Sequence, residues 1–309
     1  MPPLDLPALA RRLTRRPRTR FAPSPTGYLH LGHAVNAVYV WGLARALGGQ
    51  VVLRLEDHDR LRCRPEYERA LLEDLDWLGL EPDLGRAAEL RAGRSPYRQS
   101  DRGEAYAAAL ARLSDAGAVF GCDCSRREID AEAGGAFNRE TRYPGRCRTR
   151  GLALDAAGVR LRMDPGEERF LDPLRGEVCQ DPAAQCGDML LRDRLGHWTY
   201  QFAVVADDID QEIDLVIRGE DLVGSTGRQI RLARLLGRER PPVFLHHPLV
   251  RKADGAKLSK ANRDDGIRDL RAAGVSAADV LGRAAWLGGL LPAPMPLRAD
   301  GLAALFSRS

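Results

Sequence analysis

Two histidines, His30 and His33, lie three positions apart just before a run of apolar residues with helical spacing. The start of a helix offers backbone N–H groups and the positive end of the helix dipole to a ligand. Imidazole protons placed there can stabilise the charge that develops on a phosphate group. The pair therefore indicates a nucleotide site. The pair alone leaves an alternative open, in which His33 caps the helix and His30 packs in a turn.

Three of the six cysteines form a second candidate centre. Cys122 and Cys124 are two positions apart, and Cys147 follows later in the chain. Zinc in a structural site takes four ligands in a tetrahedron, and these three thiols could supply three of them. No histidine lies between Cys122 and Cys147, so Tyr143 is the candidate fourth ligand by its spacing. On these residues alone, a metal site and a group of reduced structural thiols are both open. We expect the remaining cysteines to be ordinary buried or surface thiols: Cys63, Cys179 and Cys186.

A shaped loop must position the two histidines. It holds two prolines and two glycines: Pro23, Pro25, Gly27 and Gly32. The prolines fix φ and push the residues before them toward extended backbone, while the glycines allow a turn and the close approach of a ligand. The apolar spacing after the loop predicts a helix that stops at Gly48-Gly49, and residues 50–55 have the pattern of a strand. Strand, loop, helix and strand form one βαβ unit, whose loop lies where open parallel sheets bind ligands.

The rest of the pattern predicts further helices and strands. Helices are expected at 65–78, 101–116, 226–236 and 276–287. In the second of these, Asp101 is the expected N-cap and Gly117 the stop. Short alternating runs between 159 and 192 predict a small β-rich insertion, and residues 198–208 are helical or extended. Strands are expected at 215–222 and 243–247.

The composition sets wider bounds. With 309 residues, 44% of them hydrophobic and 29% charged, the chain can bury a sizeable core. The net charge of +4 comes from 47 basic and 43 acidic residues, so it argues only weakly for a polyanionic partner. Six arginines between 11 and 20 could contact RNA, although a solvated tail is the usual role of such a run. No apolar run approaches the ~20 residues of a membrane span, and no secretory signal is present. We expect a cytoplasmic protein without a membrane partner.

Three motifs carry a resemblance to a known family. Residues 20–33, RFAPSPTGYLHLGH, resemble the HIGH motif of class I aminoacyl-tRNA synthetases in its glutamyl-specific form. Residues 53–59, LRLEDHD, are similar to the strand that follows in glutamyl enzymes. Residues 255–260, GAKLSK, resemble the KMSKS loop, with Ala261 in place of the last serine. The motifs occur in the expected order.

The resemblance implies an α/β fold with a Rossmann-like class I synthetase core. It implies that His30, His33, Lys257 and Lys260 are catalytic, because their positive or proton-bearing groups can stabilise charge on ATP phosphates as pyrophosphate leaves. By the same resemblance, Mg-ATP is a substrate held by the residues His30, Gly32, His33 and Lys260.

Glutamate has two carboxylates and one ammonium group, so its pocket should combine guanidinium groups with a carboxylate. The resemblance assigns glutamate binding to Arg20, Phe21, Ala22, Pro23, Ser24, Glu56, Tyr200 and Arg218. We expect Arg218 to hold a substrate carboxylate in preference to Arg20. The alternative for Arg218 is a surface salt bridge with Glu220 or Asp221.

Zinc is also implied by resemblance. Glutamyl-queuosine tRNA(Asp) synthetases, shortened paralogs of glutamyl-tRNA synthetase, bind zinc through Cys-x-Cys followed by Tyr-x-x-x-Cys, and this chain matches each element. The implied ligands of one structural zinc ion are Cys122, Cys124, Tyr143 and Cys147.

The residues after the lysine loop separate two members of the family. Fewer than about 50 residues follow Lys260, too few for the large anticodon-binding domain of glutamyl-tRNA synthetases. The resemblance to the glutamyl-queuosine enzymes therefore implies activation of L-glutamate without tRNA, and transfer to queuosine in the anticodon of tRNA(Asp). Two alternatives stay open: a truncated glutamyl-tRNA synthetase that charges the 3′ end of tRNA(Glu), and a catalytically silent, synthetase-like RNA-binding module. We expect a monomer.

The predicted organisation has five parts. They are an Arg-rich segment (1–17), the first half of the catalytic core (18–117), a zinc-binding and β-rich insertion (118–195), the second half of the core with the lysine loop (196–265), and a short helical C-terminal tail (266–309).

Overall fold

A computed structural model describes residues 4–13, 16–132, 141–250 and 266–307. The strands are β1 (Arg18–Phe21), β2 (Gln50–Leu53), β3 (Val119–Cys122), β4 (Gly158–Leu161), β5 (Glu168–Asp172), β6 (Gly176–Gln180), β7 (Met189–Arg192), β8 (Leu215–Gly219) and β9 (Val243–His247). The helices are α1 (Leu6–Arg12), α2 (Leu31–Ala46), α3 (Pro65–Leu78), α4 (Ala87–Arg91), α5 (Gly103–Asp115), α6 (Arg126–Glu132), α7 (Pro182–Cys186), α8 (Tyr200–Asp210), α9 (Thr226–Leu235), α10 (Ile267–Ala272) and α11 (Ala277–Leu287). Short 3-10 segments occur at Gln99–Asp101, Glu220–Ser225 and Ala299–Leu305. None of these helices is long and apolar enough to cross a membrane.

Two parallel strand pairs form the centre of the fold. β1 pairs with β2, and β8 pairs with β9. The two pairs meet where the Asp214 backbone N–H donates to the Arg18 carbonyl oxygen (3.0 Å) and the Arg18 N–H donates to Asp214 Oδ1 (2.7 Å). Helix α2 connects β1 to β2, so the predicted βαβ unit is confirmed. Ligand sites in such sheets lie beyond the carboxyl ends of the strands.

Helix α2 is buried on nearly all sides. Its side chains from Ala34 to Ala44 are mostly apolar and inaccessible, as expected of a helix that is hydrophobic around its whole circumference. The C-terminal helix α11 and the segment Ala299–Leu305 pack against it, and the Tyr39 hydroxyl donates to the Gly288 carbonyl (2.7 Å). The N-terminus of α2 is thereby held firmly at the edge of the parallel strands.

The predicted β-rich insertion is confirmed by two antiparallel units. Strands β3, β4 and β7 form one sheet, and β5 and β6 form a hairpin. The hairpin packs on the core, where buried Glu168 accepts hydrogen bonds from Arg231 (2.9 Å) and Arg234 (3.0 Å) of α9. The proposed boundaries of the five parts of the chain stay predictions.

The predicted helix at 65–78 is confirmed at both ends, and residues 198–208 prove to be mainly helical, in α8. The predicted N-cap of α5 is wrong. Asp101 belongs to a 3-10 segment, and its carboxylate accepts a hydrogen bond from the Ser95 backbone N–H (3.0 Å). Helix α5 starts at Gly103 after Arg102, because Asp101 is already engaged with the preceding loop.

Candidate active site

A cavity of about 670 Å³ opens at the carboxyl ends of the central strands. Eight predicted site residues line it: Arg20, Ala22, His30, Gly32, His33, Glu56, Tyr200 and Arg218. Three others, Phe21, Pro23 and Ser24, are neighbours of these residues in the chain but do not line the cavity. Phe21 packs edge-on against Trp41 in the core, with ring centroids 5.3 Å apart. The predicted lysines Lys257 and Lys260 lie outside the described residues.

The two histidines form the start of helix α2. His30 Nδ1 accepts a hydrogen bond from the Gly32 N–H (3.0 Å), and His33 Nδ1 accepts one from the His30 N–H (3.1 Å), an arrangement known as a capping box. Each neutral ring therefore carries its proton on Nε2. A side chain at Gly32 would collide with His30, since a Cβ there would lie 2.9 Å from His30 Cε1. Capping is compatible with phosphate binding, because it keeps the proton of each ring on Nε2, where it can be donated to a phosphate oxygen.

A network of buried charges lies beneath one side of the cavity. Arg54 is fully buried, and its guanidinium contacts three carboxylates: Asp208 (2.8 Å), Glu56 (3.2 Å) and Asp207 (3.7 Å). Burial disfavours the charged form of Arg54, but these carboxylates outweigh that effect and raise its pKa. Arg20 adds a second guanidinium, which contacts Asp208 (3.3 Å). Arg102 contacts Asp207 (2.5 Å) and makes the count equal, with three guanidiniums and three carboxylates.

Glu56 presents the carboxylate of this network to the cavity. The loop between β1 and α2 holds its backbone: the Ser24 hydroxyl donates to the Glu56 carbonyl (2.5 Å), and the Glu56 N–H donates to the Pro23 carbonyl (3.1 Å). Burial raises the pKa of Glu56, although Arg54 and Arg20 act in the opposite direction. A substrate ammonium group would stabilise the ionised carboxylate.

Arg218 lies on the other side of the cavity and has a different environment. Its guanidinium donates to His246 Nε2 (3.1 Å), Gln229 Oε1 (2.7 Å) and Thr226 Oγ1 (2.8 Å), all of them neutral acceptors. It also lies 5.1 Å from the centre of the Phe244 ring. Across the described ranges, no carboxylate lies within ion-pair distance of Arg218, so the predicted alternative of a surface salt bridge is wrong. The side chain is only 4% exposed.

A buried charge without a counter-charge is unfavourable, and it marks Arg218 as a site for an anion. Burial lowers the pKa of Arg218 to about 10, even though Tyr200 and Asp208 favour its charged form. Burial and the negative charge of Glu56 raise the pKa of Tyr200, so its hydroxyl stays protonated and can donate to a ligand. The cavity thus offers a cation at Arg218, a carboxylate at Glu56 and imidazole donors at His30 and His33.

Several functional side chains were missed by the sequence analysis. Asn36 and His247 line the cavity near the histidine pair, with Asn36 Oδ1 and His247 Nε2 3.2 Å apart. His247 stacks on Tyr39 at a centroid distance of 5.0 Å. Their sequence context gave little indication of a role. Asn36 is an isolated polar residue in a mostly apolar helix, and His247 is the last residue of a strand. Arg54 had a clearer signal, since it is the one charged residue in the apolar run from Val51 to Leu55, whereas Asp208 lies among other acidic residues, Asp207 and Asp210.

The cysteine cluster lies in the insertion. The sulfur atoms of Cys122, Cys124 and Cys147 all lie within 4.8 Å of one another. The Tyr143 hydroxyl is 3.4 Å from Cys122 Sγ and accepts a hydrogen bond from the Cys147 N–H (2.9 Å). Burial would raise the pKa of Cys122, but hydrogen bonds from Tyr143 and Arg160 outweigh it and lower the pKa.

This donor set fits zinc. Zn–S bonds of about 2.3 Å in a tetrahedron place sulfur atoms about 3.8 Å apart, and Cys124 and Cys147 have their sulfur atoms 3.5 Å apart. The metal-binding form of a cysteine is the thiolate; the pKa of Cys122 is lowered toward it, whereas burial raises the pKa of Cys124 and of Tyr143.

This chain is similar to known proteins over most of its length. The model of the family described as tRNA synthetases class I (E and Q), catalytic domain, matches residues 17–278. The Glutamyl-Q tRNA(Asp) synthetase of Symbiobacterium thermophilum is 41% identical over 298 residues, which cover 93% of this chain and 91% of the relative. The enzyme of the same name from Nitratidesulfovibrio vulgaris is 40% identical over 291 residues, which cover 90% of this chain and 88% of the relative.

A solved structure shares the fold. The glutamate tRNA ligase from Elizabethkingia meningosepticum, in complex with its amino acid, superposes with a TM-score of 0.78 at 26% identity. The match covers 94% of this chain and 64% of that longer chain.

Proposed function

Because this chain belongs to the family of class I tRNA synthetases for glutamate and glutamine, we propose that it activates L-glutamate with ATP and transfers it to queuosine in tRNA(Asp). The transfer step follows the names of the relatives, which are similar to this chain over most of their own length.

One observation carries the proposal for the amino acid. Among the described residues, the buried guanidinium of Arg218 has only neutral hydrogen-bond partners, and it shares a cavity with Glu56 and with the two histidines. In this proposal, the side-chain carboxylate of glutamate binds Arg218, and the ammonium group faces Glu56. An uncharged amino acid side chain would leave the Arg218 charge without a counter-charge, which favours glutamate over glutamine.

The first step is the attack of a glutamate α-carboxylate oxygen on the α-phosphorus of Mg-ATP. The new P–O bond forms as the bond to pyrophosphate breaks, giving glutamyl-adenylate. The Nε2–H groups of His30 and His33, together with Gly32 and the N-terminus of α2, would stabilise the phosphate charge. Lys260 and Lys257 would follow the departing pyrophosphate.

In the second step, a hydroxyl of the queuosine cyclopentenediol attacks the carbonyl carbon of the adenylate. The ester bond forms, and AMP leaves. No protein nucleophile is needed, so the contribution of the chain is positioning and exclusion of water.

We also propose that Cys122, Cys124, Tyr143 and Cys147 hold one structural zinc ion, which would join the end of β3 to the chain near Cys147. Metal analysis of the purified protein should give one zinc per chain, and a chelator should lower the melting temperature. Cys147→Ser should lose the zinc, whereas Cys179→Ser, at an exposed thiol outside the cluster, should keep it. Zinc retained in full by Cys147→Ser would contradict the assignment.

The first experiment is ATP–pyrophosphate exchange with glutamate and no RNA, followed by acyl transfer to tRNA(Asp) with and without queuosine. Exchange without RNA and labelling only of queuosine-containing tRNA(Asp) is the expected result. Exchange that requires tRNA(Glu) would make the chain a minimal glutamyl-tRNA synthetase, and no exchange under any condition would favour the silent RNA-binding module. Since tRNA is the proposed second substrate, we place the protein in the cytoplasm, and we propose that it acts as a monomer.

A further inference from the structure

The hairpin of the insertion contacts the glutamate side of the cavity, and one of its residues there is a buried carboxylate. Asp172, at the end of β5, is 1% exposed and contacts His246 of β9, which in turn contacts Arg218. We infer that Asp172 is a positioning residue, which fixes Arg218 through His246 and thereby sets the affinity and selectivity for glutamate. This inference rests on the proposed function.

Both oxygens of Asp172 act as acceptors. Oδ2 accepts from His246 Nδ1 (2.6 Å) and from the His246 backbone N–H (3.1 Å), and Oδ1 accepts from the Leu174 N–H (2.8 Å). Only an ionised carboxylate can accept at both oxygens without presenting a donor. An asparagine would turn its NH₂ group toward one of these N–H donors in either orientation.

The contact with Asp172 determines which nitrogen of His246 carries the proton. Because Nδ1–H donates to the carboxylate, Nε2 of the neutral ring is an acceptor. Arg218 Nε–H donates to that atom (3.1 Å), and Thr226 Oγ1 is also 3.1 Å from it. A proton on Nε2 would instead point at the guanidinium. The buried carboxylate therefore selects the one form of His246 that can hold Arg218.

This arrangement orients Arg218 without neutralising it. A carboxylate in direct contact would occupy the guanidinium, as Asp208 does for Arg54. With the His246 ring between them, Asp172 fixes the plane of the guanidinium while its charge remains available to a ligand. Rigid orientation should matter most for a substrate carboxylate, whose two oxygens match the two arms of the fork.

The kinetic test compares Asp172→Asn with Glu177→Gln, a control on the exposed side of the same hairpin. Loss of one hydrogen bond to a charged group is expected to raise the glutamate KM in ATP–pyrophosphate exchange by about 10- to 100-fold. The ATP KM should stay within about twofold, and the preference for glutamate over glutamine should fall. Glu177→Gln should match the wild-type protein in the glutamate KM, the ATP KM and the preference for glutamate. A role limited to the stability of the hairpin would leave the glutamate KM unchanged and would overturn the inference.

A spectroscopic test needs neither activity nor the Asp172→Asn variant. Long-range ¹H–¹⁵N NMR of the wild-type histidines, with His246→Gln to assign the signal, distinguishes Nδ1–H from Nε2–H rings. We expect the Nδ1–H form at His246. The Nε2–H form, or a charged ring at neutral pH, would overturn the inference.

The two levels of proposal fail in different ways. If the wild-type protein shows no glutamate-dependent exchange, the proposed function falls and this inference falls with it. If the wild-type protein is active and Asp172→Asn has a normal glutamate KM, only the inference falls.

Discussion

Two arginines of this protein are almost equally buried but have opposite environments. Arg54 contacts three carboxylates beneath the cavity, whereas Arg218, at the cavity wall, has only neutral hydrogen-bond partners in the described part of the chain. Both guanidiniums are charged, but among the described residues only Arg54 has carboxylates of the protein itself to balance its charge. The difference separates a structural arginine, Arg54, from the proposed binding arginine, Arg218, without reference to any motif.

The strongest test of this comparison removes the structural arginine. Arg54→Met would remove the cation that buried Glu56, Asp207 and Asp208 share, which we expect to reduce the free energy of unfolding by ~3–5 kcal/mol. Urea denaturation measures the change. The matched control is Arg45→Met, which breaks a partly exposed pair with Asp83 and should lose at most ~1 kcal/mol. Equal losses in the two variants would contradict the structural role of Arg54.

The converse test removes the binding arginine. Arg218→Gln should lower kcat/KM for glutamate in pyrophosphate exchange by about 100- to 1,000-fold, because the substrate carboxylate loses its counter-charge. Its melting temperature should equal or exceed that of the wild type, since an unpaired buried charge is removed. Arg175→Gln, which breaks an exposed pair with Glu220, serves as the control and should keep normal activity. An Arg218→Gln protein that is unstable but active would reverse the assignment of the two arginines.

A third test uses pH and the carboxylate that borders both regions. Burial raises the pKa of Glu56, so this group is protonated on acidification at a pH above the ordinary glutamate value of about 4.3. We expect kcat/KM for glutamate to fall as the pH decreases through that raised pKa, because a neutral Glu56 no longer attracts the substrate ammonium. Glu56→Gln should be about 10- to 100-fold less active at pH 7 and should lack this acidic limb. If kcat/KM of the Glu56→Gln variant still falls at acidic pH, the fall must come from the titration of another group.

The smallest expected effect concerns an unmatched charge away from the cavity. Asp74 on α3 is 2% exposed, and its Oδ2 has no hydrogen-bond partner among the described residues. Burial raises the pKa of Asp74 to about 6, against the opposing influence of Arg271 and Arg268. Ionisation therefore costs stability as the pH rises from about 4 to about 6, since the unfolded carboxyl ionises at ~3.9.

Asp74→Asn should accordingly stabilise the protein by ~1–2 kcal/mol at pH 8, with the gain disappearing below about pH 4. Asp76→Asn, at an exposed position of the same helix, provides the control for helix propensity. A gain that does not change with pH would show that the charge of Asp74 is not its source. This contrast would show that an unmatched buried charge is useful at Arg218 only because a ligand can reach it.

The sequence predicted the ends of helices correctly where residues next to those ends determine them. Helix α3 begins with Pro65 at its first turn and ends at Gly79, whose φ of 70° is one that glycine adopts without strain, so both limits follow from single residues. The predicted start of α5 lies two residues before the observed one. Asp101 is a residue type that often caps helices, but its carboxylate accepts a hydrogen bond from the backbone N–H of Ser95, six residues earlier.

The site was predicted only as far as motifs extend. The histidines, Glu56 and Arg218 could be identified from their neighbours in sequence and from the family resemblance. Their supporting residues could not, because Asp208 lies 154 positions from Arg54, and His246 lies 28 positions from Arg218. Hydrogen bonds of that separation depend on how the strands and the insertion assemble, and no local pattern encodes them.

The start of α2 has a consequence for how this protein tolerates mutation. Since His30 and His33 both cap the helix and face the cavity, a single substitution at either position changes fold stability and chemistry together, and variant screens would confound the two. A paired replacement separates them. Serine at position 30 with glutamate at position 33 recreates an ordinary capping box without imidazole groups. The paired variant is expected to fold without imidazole groups at the start of α2, so that a loss of helix stability can be told apart from a loss of the proposed phosphate contacts.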